Sequence, residues 1–158
     1  MAAGIDTNTL GARGENLVYL NLTSYGATRG PLFSPAYTGE KCPDFDYVVR
    51  LNGAAGFFFV QIKTVGTKLT SGDKAIPAQV KKANVQRLLE LPVPTYVIGV
   101  EDATGRCFVR AITAGLNSGI SRIPTANILD DANRSRLYDE VAGFWRNGPT
   151  KPASSVFG

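Results

Sequence analysis

The chain contains no histidine and only two cysteines. Without histidine there is no Ser-His-Asp or Cys-His nucleophile, no His-ligated zinc, no HNH-type nuclease chemistry and no His-based RNA cleavage. Cys42 and Cys107 lie 65 positions apart and form no CxxC pair, which removes zinc ribbons and thioredoxin-like redox chemistry. Long apolar runs are missing as well. The longest, Ala54 to Val60, has seven residues, against about 20 for a membrane helix. The opening residues Met1 to Asp6 carry neither the basic nor the apolar region of a signal peptide. The expected setting is cytoplasmic, with both thiols reduced. Chemistry is left to carboxylates, lysine, amides and hydroxyls.

What is present describes a globular protein. The 158 residues suit one domain, expected over residues 1–146, followed by a polar, proline-bearing tail over 147–158 that reads as flexible. Apolar residues at 44% and charged residues at 19% argue against a disordered chain. Seventeen Lys+Arg against thirteen Asp+Glu give a net charge of +4, a mild basic excess compatible with a nucleic-acid partner.

Hydrophobic spacing orders the elements. Leu10, Leu17, Val18, Leu22 and Tyr25 recur at helical intervals, predicting a helix capped by Thr7 or Thr9 and running to about Tyr25. Residues 27–43, rich in Gly, Pro and Ser, read as a loop holding at most one short strand. Two β-rich runs follow, 46–51 and 57–64, joined around Asn52-Gly53, a strong hairpin signal. After the loop Gly66 to Lys74, Pro77 suits the first turn of a helix running through Leu89. Strands are expected at 95–100 and 106–112, joined by a turn over Glu101 to Gly105, with a final helix near 135–146. The order is that of a mixed α/β fold.

Three charged residues break the pattern around them. Glu15 sits on the apolar stripe of the first helix, three, seven and ten residues before Val18, Leu22 and Tyr25. A carboxylate facing a core costs several kcal/mol unless paired or bound to a cation. Asp46 opens an apolar strand, a place ill suited to aspartate. Lys63 ends the most hydrophobic strand, and Gln61 shares its face because strand side chains alternate. Each alone has a plain explanation: a surface or capping acid, a turn residue, a charged strand edge. Together they are more specific, since the 15-residue step from Asp46 to Gln61 suits two antiparallel strands joined by a short turn.

The segments Gly14-Glu15-Asn16-Leu17-Val18, Pro43-Asp44-Phe45-Asp46-Tyr47-Val48-Val49 and Val60-Gln61-Ile62-Lys63-Thr64 resemble the PD-(D/E)XK nuclease superfamily. The resemblance is to a bacterial branch with a Gln-x-Lys third motif, akin to Holliday-junction resolvases and restriction endonucleases, and covers roughly residues 8 to 112. It implies a restriction-endonuclease-like αβββαβ core with a mixed sheet flanked by helices. It also implies divalent-metal dependence and cleavage of DNA phosphodiesters.

The chemistry of such a site can be argued from the residues. Mg2+ held by two carboxylates, with Mn2+ able to substitute, polarises a phosphate and acidifies a water. Asp46 is the expected central ligand, Glu15 a second, and Gln61 lends a carbonyl oxygen without charge, which favours one metal over two. Lys63 would position the water or neutralise developing charge, and Asp44 stands in reserve. Lys68, Lys74, Lys81, Lys82 and Arg87 follow the motif and suit phosphate contacts, or simply form a solvated face. The expected activity is metal-dependent DNA endonuclease, structure-specific or defence-related, with a homodimer expected because double-strand or junction cutting needs two active sites. Neither a membrane nor an organic cofactor is expected. The alternatives are a nuclease-fold module that binds nucleic acid or protein without cutting, and an unrelated α/β interaction protein.

Overall fold

The computed structural model describes residues 4–26, 30–39 and 41–148. Its first helix, α1 (Thr7–Leu22), is capped by Asp6 rather than by a threonine. The Asp6 carboxylate accepts from both the backbone N–H and the hydroxyl of Thr9, and a negative charge at a helix start also suits the dipole. Helix α1 stops at Leu22, one turn short of Tyr25, where the Thr23 N–H donates to Tyr19 O at 3.1 Å and the Thr23 hydroxyl donates to the same carbonyl at 2.7 Å.

Seven strands follow: β1 (Phe33–Tyr37), β2 (Tyr47–Leu51), β3 (Phe57–Val65), β4 (Ala75–Val80), β5 (Thr95–Glu101), β6 (Arg106–Ala111) and β7 (Ile120–Pro124). Helix α2 (Lys82–Leu89) lies between β4 and β5, and α3 (Asp131–Asn147) closes the described chain. Five strands form one sheet in the order β1-β2-β3-β5-β6, in which only β3 and β5 run parallel. Strands β4 and β7 form a separate antiparallel ribbon. The expected mixed α/β core, a sheet flanked by helices, is the fold that forms.

Each face of the sheet has its own core. Val60, Ile98 and Val100 pack with Val18 and Leu22 of α1 and Leu137 and Val141 of α3. On the other face Val97 and Phe108 pack with Ile76, Ala78 and Val80 of β4, Val85 of α2 and Ile123 of β7. With both faces covered, β5 is buried at every position, as expected of a strand in a parallel pair. The ribbon lies directly on β5: a Cβ on Gly99 would come within 3.1 Å of Ile123 and 3.3 Å of Ile76.

The helix expected from Pro77 is a strand instead. Residues 75–80 alternate between burial and exposure, with Ile76, Ala78 and Val80 inward. That two-residue period answers to the second core and overrides the helix-start preference of Pro77. Pro77 lacks an N–H and faces outward on a ribbon with free edges, where proline is tolerated. The helix starts only at Lys82. The turn expected over Glu101 to Gly105 begins one residue later, because Glu101 completes β5 and is fully buried. Strand β7 was not expected from the sequence, and α3 begins four residues before the anticipated helix, capped by Asp130 through Asn133 N–H at 2.8 Å. Most of the expected tail, residues 149–158, lies outside the described residues. Among the described residues no helix is long and apolar enough to cross a membrane.

Candidate metal and phosphodiester site

Strand β3 outruns its neighbour. Strand β2 pairs with it only over Phe57–Val60, whereas β5 follows it from Phe59 to Val65. From Gln61 onward one edge of β3 is therefore open. Asp46, the residue just before β2, closes the first gap: its Oδ2 accepts the Ile62 N–H at 2.7 Å. A side-chain carboxylate thus takes the bond that a longer β2 would have supplied, and this fixes the acid at the edge.

Helix α1 brings Glu15 to the same place, held by three contacts around it. The Arg13 guanidinium pairs with Asp102 in the β5–β6 turn at 2.7 Å. The Tyr47 hydroxyl donates to the Glu15 carbonyl at 3.1 Å. Burial, together with the Glu15, Tyr37 and Asp46 charges, pushes that phenol up to about 12, so it stays protonated and remains a donor. Gly14 supplies the third contact, for a Cβ there would sit 1.8 Å from the Thr64 hydroxyl. Only glycine lets α1 come this close to β3. Glu15, Lys63, Ile62 and Thr64, with Thr7, Leu10 and Gly11 of α1, line a cleft of about 220 Å³.

The electrostatics tie the residues together. Burial raises the Glu15 carboxyl above its ordinary value, and the nearby Asp46 charge raises it further. Burial likewise raises Asp46, opposed by the Ile62 N–H and the Lys63 charge. A carboxyl raised by a neighbouring carboxylate is one whose proton a bound cation could replace. Gln61 is buried, and its Oε1 has no hydrogen-bond partner. A buried acceptor left empty costs about 1–3 kcal/mol, so this amide oxygen is a ready ligand. Among the described residues no three His, Cys, Asp or Glu side chains gather as a metal cage. The residues that could hold a cation are Glu15 and Asp46, a hard-oxygen pair suited to Mg2+, with the Gln61 oxygen as a further candidate, although neither Asp46 nor Gln61 lines the cleft that Glu15 and Lys63 share.

The other expected residues are placed differently. Asp44 turns to α2 and pairs with Arg87 at 3.0 Å, so both are engaged elsewhere. Lys68, Lys74, Lys81 and Lys82 are exposed. Sequence reasoning missed Gly14, whose only signal is its place immediately before Glu15. It also missed Glu101, whose carboxylate is clasped by Leu69 N–H, the Thr104 hydroxyl and Arg106. That clasp pins the loop that leaves β3 and carries Lys68.

Two expected results follow from this geometry. Gly14→Ala overpacks the α1–β3 seam, at a cost of about 1–3 kcal/mol, and displaces Glu15. Thermal melting should show a fall of about 2–4 °C per kcal/mol, and Thr64→Gly in the same chain should restore it. The second concerns pH. An acid whose folded value is raised binds its proton more tightly in the folded state, so the metal-free chain gains stability as pH falls through that value. Glu15→Gln is therefore expected to melt above wild type in EDTA at neutral pH, by at most about 1 kcal/mol because Glu15 is partly solvated. The gap should close on acidification; a gap that is constant with pH would sever the link to Glu15.

No family model matches the chain, and no curated protein matches it significantly. Among solved structures, the bacterial homing endonuclease I-Ssp6803I superposes with a TM-score of 0.58 at 12% identity, over 92% of this chain and 100% of that one. A nuclease from a fusselovirus aligns at a TM-score of 0.45 and 12% identity over 90% of this chain and 96% of its own. The first likeness is one of fold: the chain shares its overall architecture with that homing endonuclease.

Proposed function

We propose that this chain is a metal-dependent DNA endonuclease of PD-(D/E)XK type. The observation that carries the reading is that Glu15 and Lys63 line one cleft at the open edge of β3 and that both lie within electrostatic reach of Asp46. The nuclease architecture supports it. Mg2+ bound there would supply Lewis-acid polarisation of a phosphate and a more acidic water.

The protein's own contribution is placement and charge. Asp46 is held by the Ile62 N–H and cannot swing away from the edge. Glu15 adds the second negative charge, and Gln61 a neutral oxygen, which favours one ion over two. Lys63 lines the cleft beside the acids, where its ammonium neutralises the charge that builds on a phosphoryl group in the transition state. Lys68, Lys74, Lys81 and Lys82 supply phosphate contacts that hold the duplex. Cutting both strands calls for two such sites, hence a homodimer on DNA.

The test is nicking of supercoiled plasmid with Mg2+ or Mn2+ against EDTA. Cleavage only with the cation is expected. Duplex affinity should also fall steeply with salt as counterions are released. Salt-sensitive binding with no cleavage under any cation would instead favour the binding-module reading.

A further inference from the structure

The β4–β7 ribbon is covered on one side only. Its inner side chains, Ile76, Ala78, Val80, Ile120 and Ile123, form the second core. Its outer face has no partner among the described residues. It lies over Gly99, which pairs in register with Lys63. The ribbon therefore stands on the face of the sheet that Lys63 and Gln61 share, across the sheet from α1.

Charge on this side is mainly positive, with Asp73 as an acid at one end of the ribbon. No Asp or Glu occurs from Lys74 to Leu89, or from Ala103 to Leu129. Arg87 and Arg106 within those stretches are paired with acids from elsewhere. Lys74, Lys81, Lys82, Arg110 and Arg122 have no acidic partner among the described residues. Lys74 and Arg122 share a cleft of about 310 Å³ with Asp73 at one end of the ribbon, two cations to one acid.

The ribbon is also shaped to present particular side chains. Pro77 pairs with Arg122 but Val80 with Ile120, so β4 spends three steps where β7 spends two. Alternation is unbroken along β4, with Ala78 to the core and Gln79 to solvent, and the irregularity shows in β7, where Ser121 and Arg122 are both exposed. Across the ribbon, Arg122 faces out, and its backbone carbonyl is braced by the Arg110 guanidinium at 2.8 Å.

We propose that the outer face of this ribbon enters the major groove of duplex DNA and reads base edges through Gln79 and Arg122. The inference rests on the endonuclease reading and adds how such an enzyme would choose its site. A two-stranded ribbon fits the major groove, and the two side chains have the geometry required: arginine pairs in bidentate fashion with guanine, glutamine with adenine. The surrounding lysines supply contacts to phosphate, which carry no sequence information.

The experiment is selection of bound duplexes from a randomised library by the full chain in EDTA, so that no cleavage intervenes. Wild type is expected to enrich a motif. Arg122→Ala and Gln79→Ala should each relax one position of it, with discrimination there falling roughly tenfold to a hundredfold. Lys82→Ala should weaken all sequences alike and lower the salt slope by about one. Both ribbon residues are exposed, so the variants fold, which melting confirms. A motif that both variants keep unchanged overturns the ribbon assignment, as does wild-type binding with no motif at all; metal-dependent plasmid nicking would survive either result. Absence of both duplex binding and nicking overturns the endonuclease reading itself.

Discussion

Lys63→Ala is expected to lower plasmid cleavage by about 10²–10³-fold while leaving cation binding unchanged or slightly tighter. Under the proposed function Lys63 would act as a charge beside the acids and not as a ligand, so removing it would take a cation away from the neighbourhood of a bound ion. Asp46→Asn should behave differently in kind. The amide oxygen can still accept the Ile62 N–H, which keeps the edge closed, but the charge that attracts the ion is gone. Cleavage and metal binding should then be lost together. Asp46→Ala is the poorer probe, because it also strands the Ile62 N–H, at about 1–3 kcal/mol. Calorimetric titration with Mn2+ and nicking assays on the same preparations separate the two roles. Activity that survives Lys63→Ala would reduce Lys63 to a structural charge.

The largest stability effect is expected at Glu101. It is fully buried yet ionised, and lies at the end of β5 opposite Val65. Burial would push its carboxyl up, but the Thr104 hydroxyl, the Leu69 N–H and Arg106 outweigh this and hold it below its ordinary value. Glu101→Ala would leave a cavity and an unpaired Leu69 N–H. Arg106 remains hydrated, since its side chain is 45% exposed. A loss of about 2–4 kcal/mol follows, or roughly 10 °C in melting temperature for a chain of this size. Glu101→Gln should lose less, because an amide oxygen can still accept from Leu69. A depressed carboxyl contributes stability above its unfolded value and loses it as pH falls through the folded one. The wild-type advantage over Glu101→Gln should therefore fade on acidification.

Local signals carried much of this architecture. Helix α1 and strands β2, β3, β5 and β6 are announced by strong hydrophobic periods, and the β2–β3 hairpin by Asn52-Gly53. Glu15, Asp46 and Lys63 could be singled out because each breaks such a period. The ribbon could not. In β4 the inward positions include a small alanine, and Pro77 offers a competing helix start. In β7 only Ile120 and Ile123 face inward, a spacing of three that fits a helix turn and not the two-residue period of a strand. These two strands exist by pairing with each other across more than forty residues, and no local window contains that partnership. Glu101 was hidden in a different way. It stands in a string of turn-formers, and its burial depends on Leu69 arriving from a distant loop.

The carboxylate that closes the gap at Ile62 also makes one backbone site a reporter. Along β3 the Ile62 amide proton is held by a side chain that can change its charge. Protonating Asp46 weakens the acceptor without disturbing the β3–β5 ladder. In native-state hydrogen exchange, Ile62 should accordingly lose protection on acidification ahead of its neighbours in the strand, after correction for the intrinsic rate. One amide signal would then follow the ionisation of the edge acid in the absence of any metal, nucleic acid or turnover.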